Sequence, residues 1–366
     1  MTKRQLVLED GTVFTGEGFG AEHDTSGEIV FYTGMTGYQE VLSDPSYCGQ
    51  VVVQTYPLAG NYGINKDDFE HVTPFINGYI VKEWCQSPSN FRSEETLDDY
   101  LRANNIPGIS GIDTRKLTKR IRQHGTMKAV ITDALERPEK AFEKLGDGPL
   151  QRDMVQQTST LNPYVVPGSG MRIVLMDFGM KQGVLRELTN RNCHVTVVPY
   201  NYSAESILRL KPDGIMLSNG PGDPKDIFGS LETVRSLLGQ HPLFGIGLGH
   251  QLLALACGAD TEKLPFGHRG PSHPVKDLEK NKTFMTSQNH GYTVSHDSLG
   301  RADLELTQVS VHDQSVEGLT HLVHPAFSVQ YQPESSPGSE DTKHLFDEFL
   351  QLIADWNSKY KEDIHA

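Results

Sequence analysis

A short apolar run, Pro242-Leu243-Phe244-Gly245-Ile246, passes through Gly247 directly into Leu248-Gly249-His250-Gln251-Leu252-Leu253-Ala254-Leu255-Ala256. The first run reads as a buried strand. The second is built of strong helix formers, with no breaker before Gly258. A strand that becomes a helix within one residue makes a sharp turn that small neighbours permit. Such an elbow exposes its apex and gathers the helix N-terminal amides around whatever reacts there. A serine or cysteine is what this geometry serves, yet the apex here is Gly247. The same glycines could in principle cradle a dinucleotide phosphate. However, no acidic ribose partner follows a second strand, and GIGLGH closes the turn too early for that motif.

Around the elbow the chain alternates strand and helix. Ile173–Met176, Val195–Val198 and Gly214–Leu217 read as strands, with helices through Leu185 and Leu188, over Ser206–Leu210 and over Leu231–Leu238. Alternation of this kind predicts a largely parallel sheet flanked by helices. Past Gly267 the pattern turns to strands and loops, and Thr342–Trp356 closes the domain as an amphipathic helix. The first part of the chain is β-rich, with strands at Leu6–Leu8, Glu28–Tyr32, Val51–Val53 and Tyr79–Val81. Helices are expected over Leu97–Ala103, Arg115–Gln123 and Pro138–Leu145. The polar, Pro/Gly-rich stretch 156–170 reads as a linker. The organisation is therefore an α/β chain with a β-rich domain over 1–155, a linker over 156–170, an α/β domain over 171–358 and a charged tail over 359–366.

A length of 366 residues, 37% of them hydrophobic, suffices for two cores. The formal charge of −14 argues against a nucleic-acid surface. Four scattered cysteines, Cys48, Cys85, Cys193 and Cys257, contain no CxxC pair, so neither a disulfide framework nor a zinc site is expected and a cytoplasmic location is. The N-terminal residues carry no secretory signal pattern, and no window approaches the length of a membrane span.

Two further loops belong with the elbow. Ser218-Asn219-Gly220-Pro221-Gly222-Asp223-Pro224 follows a predicted strand, where an open α/β sheet binds its ligands, and its glycines let backbone N–H groups approach a substrate. Val329-Gln330-Tyr331-Gln332-Pro333-Glu334 places a carboxylate two residues after a polar side chain. That polar group is an amide, which does not titrate near neutrality and cannot act as a base.

With these motifs in view, the whole chain resembles the small, glutaminase subunit of carbamoyl-phosphate synthase. In the second domain the resemblance rests on NGPGDP (219–224), GIGLGHQLLALACGA (245–259), FGHRG (266–270), TSQNHGY (286–292) and PAFSVQYQPESSPG (325–338). In the first it rests on MTGYQE (35–40), SDPSYCGQ (43–50), TYPLAGNYGIN (55–65) and GIDTR (111–115), which set this family apart from other triad amidotransferases. The resemblance implies a class I amidotransferase domain that binds L-glutamine, hydrolyses its side-chain amide and passes ammonia to a large, ATP-using subunit. It implies no cofactor or metal in this chain, with ATP and Mg on the large subunit.

The family's catalytic set is a cysteine at the elbow with histidine and glutamate in an H-P-E turn. Here those positions are Gly247, Gln332 and Glu334, so only the glutamate is retained. The resemblance carries glutamine-binding roles to Ser46, Gly220, Gly222, Leu248, Gln251, Asn289 and Gly291, with Tyr292 where an aromatic is usual. Ser272 replaces the usual asparagine after FGHRG. Without a thiolate and an imidazole the route to hydrolysis is closed, while an oxyanion hole from the amides of Gly220 and Leu248 is still expected. Neither Cys257, ten residues along the helix, nor His250 or His290 is expected to stand in. The expectation is a synthase subunit with a silent glutaminase site. The alternative is a glutamine-binding or regulatory protein derived from the same family.

Overall fold

A computed structural model describes residues 3–133, 141 and 151–365. Contacts divide the chain between Arg152 and Asp153 into two units, each with its own core.

In the first unit, runs rich in Val, Ile and Tyr pair into a closed barrel. Its strands are β1 (Lys3–Leu8), β2 (Val13–Gly20), β3 (Thr25–Tyr32), β4 (Gln50–Gln54), β6 (Gly78–Ile80), β8 (Pro107–Ser110) and β9 (Met127–Asp133), and a small pair, β5 (Leu58–Ala59) and β7 (Glu83–Trp84), lies outside it. The barrel order is β1-β2-β8-β6-β4-β3-β9, and β9 closes on β1 with Leu6 opposite Ile131. The helices Leu97–Ala103 and Thr114–His124 match the sequence reading to within a residue at each end. The expected helix over Pro138–Leu145 falls, apart from Ala141, outside the described residues.

One arginine holds three strands of this barrel. Arg4 is almost fully buried, and its guanidinium donates to the carbonyls of Phe19 (3.2 Å), Gly108 (3.1 Å) and Ala21 (2.6 Å). Its Nε donates to Asp133 Oδ1 at 3.4 Å. A planar fork of fixed donors is well suited to collecting carbonyls from neighbouring strands.

The second unit is organised by a ten-stranded sheet in the order β10-β12-β11-β13-β14-β19-β18-β17-β15-β16. Its strands are β10 (Tyr164–Val166), β11 (Arg172–Asp177), β12 (His194–Pro199), β13 (Gly214–Leu217), β14 (Leu243–Ile246), β15 (Thr261–Asp277), β16 (Lys282–Val294), β17 (Leu304–Ser310), β18 (Val316–His321) and β19 (Ala326–Val329). The run β12-β11-β13-β14-β19 is parallel, and the remaining pairings are antiparallel. Alternate residues of the parallel strands enter two cores, as a sheet covered on both faces requires. Ile173, Leu175, Val195 and Val197 pack with Phe346, Phe349 and Ile353 of the last helix. Val174, Met176, Ile215 and Leu217 pack with Val234, Leu252 and Leu253 on the other face. The intervening helices Gln182–Asn190, Ala204–Arg209 and Phe228–Leu237 begin one to three residues ahead of, or end near, their expected bounds.

Two boundaries differ from the sequence reading. The stretch 156–170 is not a free connection. The helix Met154–Thr158 buries Val155 and Thr158, and Tyr164–Val166 adds to the sheet antiparallel to β12. Its polar side chains, which read as linker, are tied to the unit: Thr160 N–H donates to Asp177 Oδ2 at 2.7 Å and Tyr200 N–H to Ser159 Oγ at 3.0 Å. The prolines at 163 and 167 frame a short edge strand, where proline is tolerated. The charged tail likewise continues the last helix, His344–His365, because Lys and Glu are good helix formers whether or not a core lies beneath them.

Replacing Arg4 by methionine leaves three buried carbonyls without their donor. The expected loss is about 3 kcal/mol or more for the first unit. Urea unfolding followed by Trp84 fluorescence in a Trp356→Phe background checks it.

Candidate active site

Four parallel strands deliver their following loops to one edge of the second sheet: β11 gives Asp177–Lys181, β13 the 218–224 loop, β14 the elbow and β19 the segment 330–334. This is the edge where open α/β sheets bind ligands.

The elbow forms as the sequence predicts. Gly247 has φ 57° and ψ −107°, its N–H donates to Val329 O at 2.9 Å, and its carbonyl accepts from Gln251 N–H at 3.2 Å to begin the helix Leu248–Ala256. That backbone conformation is one that side-chain-bearing residues adopt only under strain. Space is not the obstacle. An added Cβ would meet Asn219 Cβ at 3.4 Å and Gln330 O at 3.8 Å, which are ordinary contacts. The turn has room for a Cβ at its apex.

The 218–220 loop is fixed by the loop after β11. Phe178 N–H donates to Ser218 Oγ (2.9 Å), Asn219 Nδ2 to Gly179 O (3.0 Å), and Lys181 N–H to Asn219 Oδ1 (3.2 Å). Gly220 is required by close approach, since a Cβ there would lie 2.2 Å from Phe178 O. Gly222 has φ 90°. Leu248 N–H, the first of its helix, has no intrahelical acceptor, whereas Gly249 N–H is spent on Ser218 O at 3.0 Å.

Gln251 is buried on the elbow helix and donates from Nε2 to Tyr292 O (2.9 Å) and Gln330 Oε1 (3.0 Å). Its own Oε1 is thereby set as an acceptor. The Tyr292 carbonyl places Asn289, Gly291 and Tyr292, all on β16, in the same neighbourhood. Of the remaining expected binding position, Ser46 lies in the first unit, buried in the turn Pro45–Tyr47, with its N–H donating to Asp44 Oδ1 at 2.8 Å.

At the base position the structure brings in a residue that sequence reasoning missed. Lys181 is fully buried. Its Nζ lies 3.1 Å from Gln332 Oε1, 2.5 Å from Ser336 O and 2.9 Å from Glu334 Oε1. Lysine only donates, so the Gln332 amide is turned with its oxygen to Lys181 and its nitrogen away. The one sequence signal was a lysine placed immediately after an apolar strand end, DFGMK, among residues that otherwise become buried. Gln332 is further held by its N–H to Ser287 O at 2.9 Å.

The other titratable groups nearby are held in their neutral forms by burial. Burial pushes the Cys257 thiol up to about 12, with Asp303 adding to the shift, and the residue caps the far end of the helix. Burial pushes His250 down to about 3, and its Nδ1 is engaged with Ser328 Oγ at 2.9 Å. His290 is likewise pushed well down by burial and then by His268, with Nδ1 on Tyr292 O.

The fold and this edge define the second unit as a class I glutamine amidotransferase domain, and residues 174–352 match the family model of that description. Residues 6–131 match carbamoyl-phosphate synthase small chain, CPSase domain. The chain is 64% identical over 366 residues to the carbamoyl phosphate synthase small chain of Oceanobacillus iheyensis, covering 100% of both chains. It is 61% identical over 364 residues to that of Bacillus caldolyticus, again covering 100% of both. Against the pyrimidine-specific small chain of Bacillus subtilis it is 59% identical over 351 residues, 96% of each. The chain belongs to the carbamoyl-phosphate synthase small chain family.

Two stability measurements follow from this geometry. Gly247→Ala is expected to cost about 1–3 kcal/mol from backbone strain alone, read as a lower denaturation midpoint of the second unit. Lys181→Met strands a buried carboxylate and is expected to cost about 3–5 kcal/mol. A double-mutant cycle with Glu334→Gln is expected to recover part of that loss, because the second change removes the stranded charge.

Proposed function

We propose that this chain is a carbamoyl-phosphate synthase small subunit whose amidotransferase pocket binds L-glutamine without hydrolysing it, so that the complex takes its nitrogen from free ammonia. The observation that carries the reading is the elbow apex. Gly247 offers no nucleophile in a turn that has room for one. The base position supports it, because Gln332 is an amide whose oxygen is held by Lys181 and which moves no proton. Glu334, the retained acid, faces that lysine at 2.9 Å rather than an imidazole.

Binding positions are kept. Gly220 and Leu248 would direct amides at a side-chain carbonyl, Gln251 would offer its Oε1 to a ligand ammonium, and Asn289, Gly291, Tyr292 and Gly222 belong to the same set in this unit. With the reacting groups gone, what remains is on the order of 10³–10⁴-fold over water, far below a biosynthetic flux.

The partner is a large subunit that supplies ATP and Mg and makes carbamoyl phosphate for arginine or pyrimidine synthesis; the pyrimidine-specific relatives support the latter. No helix among the described residues is long and apolar enough to cross a membrane. A match along the full length, first unit included, supports a working subunit over a free-standing glutamine sensor.

The test is carbamoyl phosphate formation by this chain with its large subunit, using glutamine or ammonium. Product from ammonium alone is expected. Comparable rates from glutamine would overturn the reading. Gly247→Cys with Gln332→His is expected to restore glutamine-dependent synthesis, while either change alone is not.

A further inference from the structure

Three side chains from separate strands meet inside the second unit. His268 on β15, His290 on β16 and Glu317 on β18 are all buried, and one ligating atom of each lies within 4.8 Å of the others. Only the pairing of β15 with β16, which sets His268 opposite His290, and the sheet order that brings β18 near make the group.

The hydrogen bonds around the group turn lone pairs inward. His268 Nε2 contacts Asp313 Oδ2 at 2.8 Å, and a carboxylate can only accept there. That fixes Nε2–H and sets the buried Nδ1 at 3.5 Å from Glu317 Oε1, beyond good hydrogen-bond geometry. Burial opposes a charge on this ring, but Asp313 and Glu317 outweigh it and raise its pKa to about 9, so a metal ion would replace a proton there. His290 Nδ1 donates to Tyr292 O at 2.7 Å, so in a neutral ring Nε2 is a bare acceptor. It faces Gln288 Oε1 at 2.9 Å. The Gln288 amide is oriented by its own Nε2, which donates to Glu317 Oε2 at 2.8 Å. With His290 neutral, two acceptors are thus in contact beside a buried carboxylate and the His268 ring that faces it. A proton on His268 would satisfy Nδ1 but would leave the His290–Gln288 contact unrelieved. A cation among them relieves both.

We propose that His268 Nδ1, His290 Nε2 and Glu317 Oε1 bind one divalent transition-metal ion, with Gln288 Oε1 placed to become a fourth donor. The donor set of two imidazoles and oxygens suits zinc and its neighbours. Two donors on one such ion, each at about 2.0–2.1 Å, stand roughly 2.9–3.4 Å apart for angles between 90° and tetrahedral. The observed 3.5 Å and 2.9 Å bracket that range. The surroundings are those of a ligated histidine: Asp313 behind His268 and a backbone carbonyl behind His290. With no donor left over for a substrate, the ion would be structural. It would clamp β15, β16 and β18 behind the Tyr292 carbonyl, which also accepts from Gln251. Sequence reasoning looked for zinc among the cysteines, and these ligands come from none of them.

The test uses the full-length chain, stripped with a chelator and titrated with Zn²⁺ alone against a chromophoric chelator, with Co²⁺ absorption as a second readout. One equivalent per chain is expected. His268→Asn and Glu317→Gln should each abolish it, and Asp313→Asn should weaken it by about 10–100-fold. The exposed His23→Asn should leave it unchanged. Asp313 is partly exposed, so its variant serves if the buried ones do not fold. No stoichiometric uptake by the folded wild type, or uptake that survives in every variant, overturns the proposal and leaves protons as the only occupants.

Discussion

Parallel strands all hand their chain over at the same edge, and the second unit is organised by that constraint. The parallel core puts the ends of β11, β13, β14 and β19 side by side, so residues as far apart as Lys181, Gly220, Gly247 and Gln332 become neighbours. Each loop is then tied to another as well as to its own residues, such as Asp177, which accepts from Gly179 and Met180 N–H. Asn219 holds the loop after β11, Ser218 accepts the second amide of the elbow helix, and Val329 accepts the apex N–H. A pocket built in this way survives the loss of any one side chain that merely points into it. This is why an elbow with no nucleophile still has the conformation of one.

The base position is more consequential. A buried lysine beside a buried glutamate is tolerated only with complementary charge and saturated donors, and Lys181 meets both conditions with Glu334, Gln332 and Ser336. Lys181 therefore fixes the Gln332 amide and balances the Glu334 charge together. Positions 247 and 332 are thus different in kind: one leaves space at a turn, and the other sits within a charge network.

Much of this was legible in the residues. The elbow, the parallel strands and the helix Leu97–Ala103 were carried by local signals, namely apolar runs of the right length, helix formers and glycines at turns. Composition misled at 156–170 because serine and threonine hydroxyls that look solvent-bound are spent on Tyr200 and Phe178 in the fold. It misled at the C-terminus because a charged run reads alike as tail and as helix. Lys181 and the His268–Glu317 pair were invisible for another reason. Their partners lie 153 and 49 positions away in sequence, respectively, and only pairing across the sheet reveals them.

The closure of the barrel has a consequence for how the chain is made. Its first strand, β1, is bonded on one side to β2, which follows at once, and on the other to β9, which ends at Asp133. Arg4 likewise reaches residues synthesised long after it, Gly108 and Asp133. At elongation rates of about 5–20 residues per second the β1 edge is therefore exposed for roughly ten seconds before its partner leaves the ribosome. A nascent chain with an open, apolar edge such as Leu6-Val7-Leu8 is a substrate for anything that binds extended strands. The N-terminal unit thus depends on being shielded during synthesis, even though its finished barrel leaves no edge to shield.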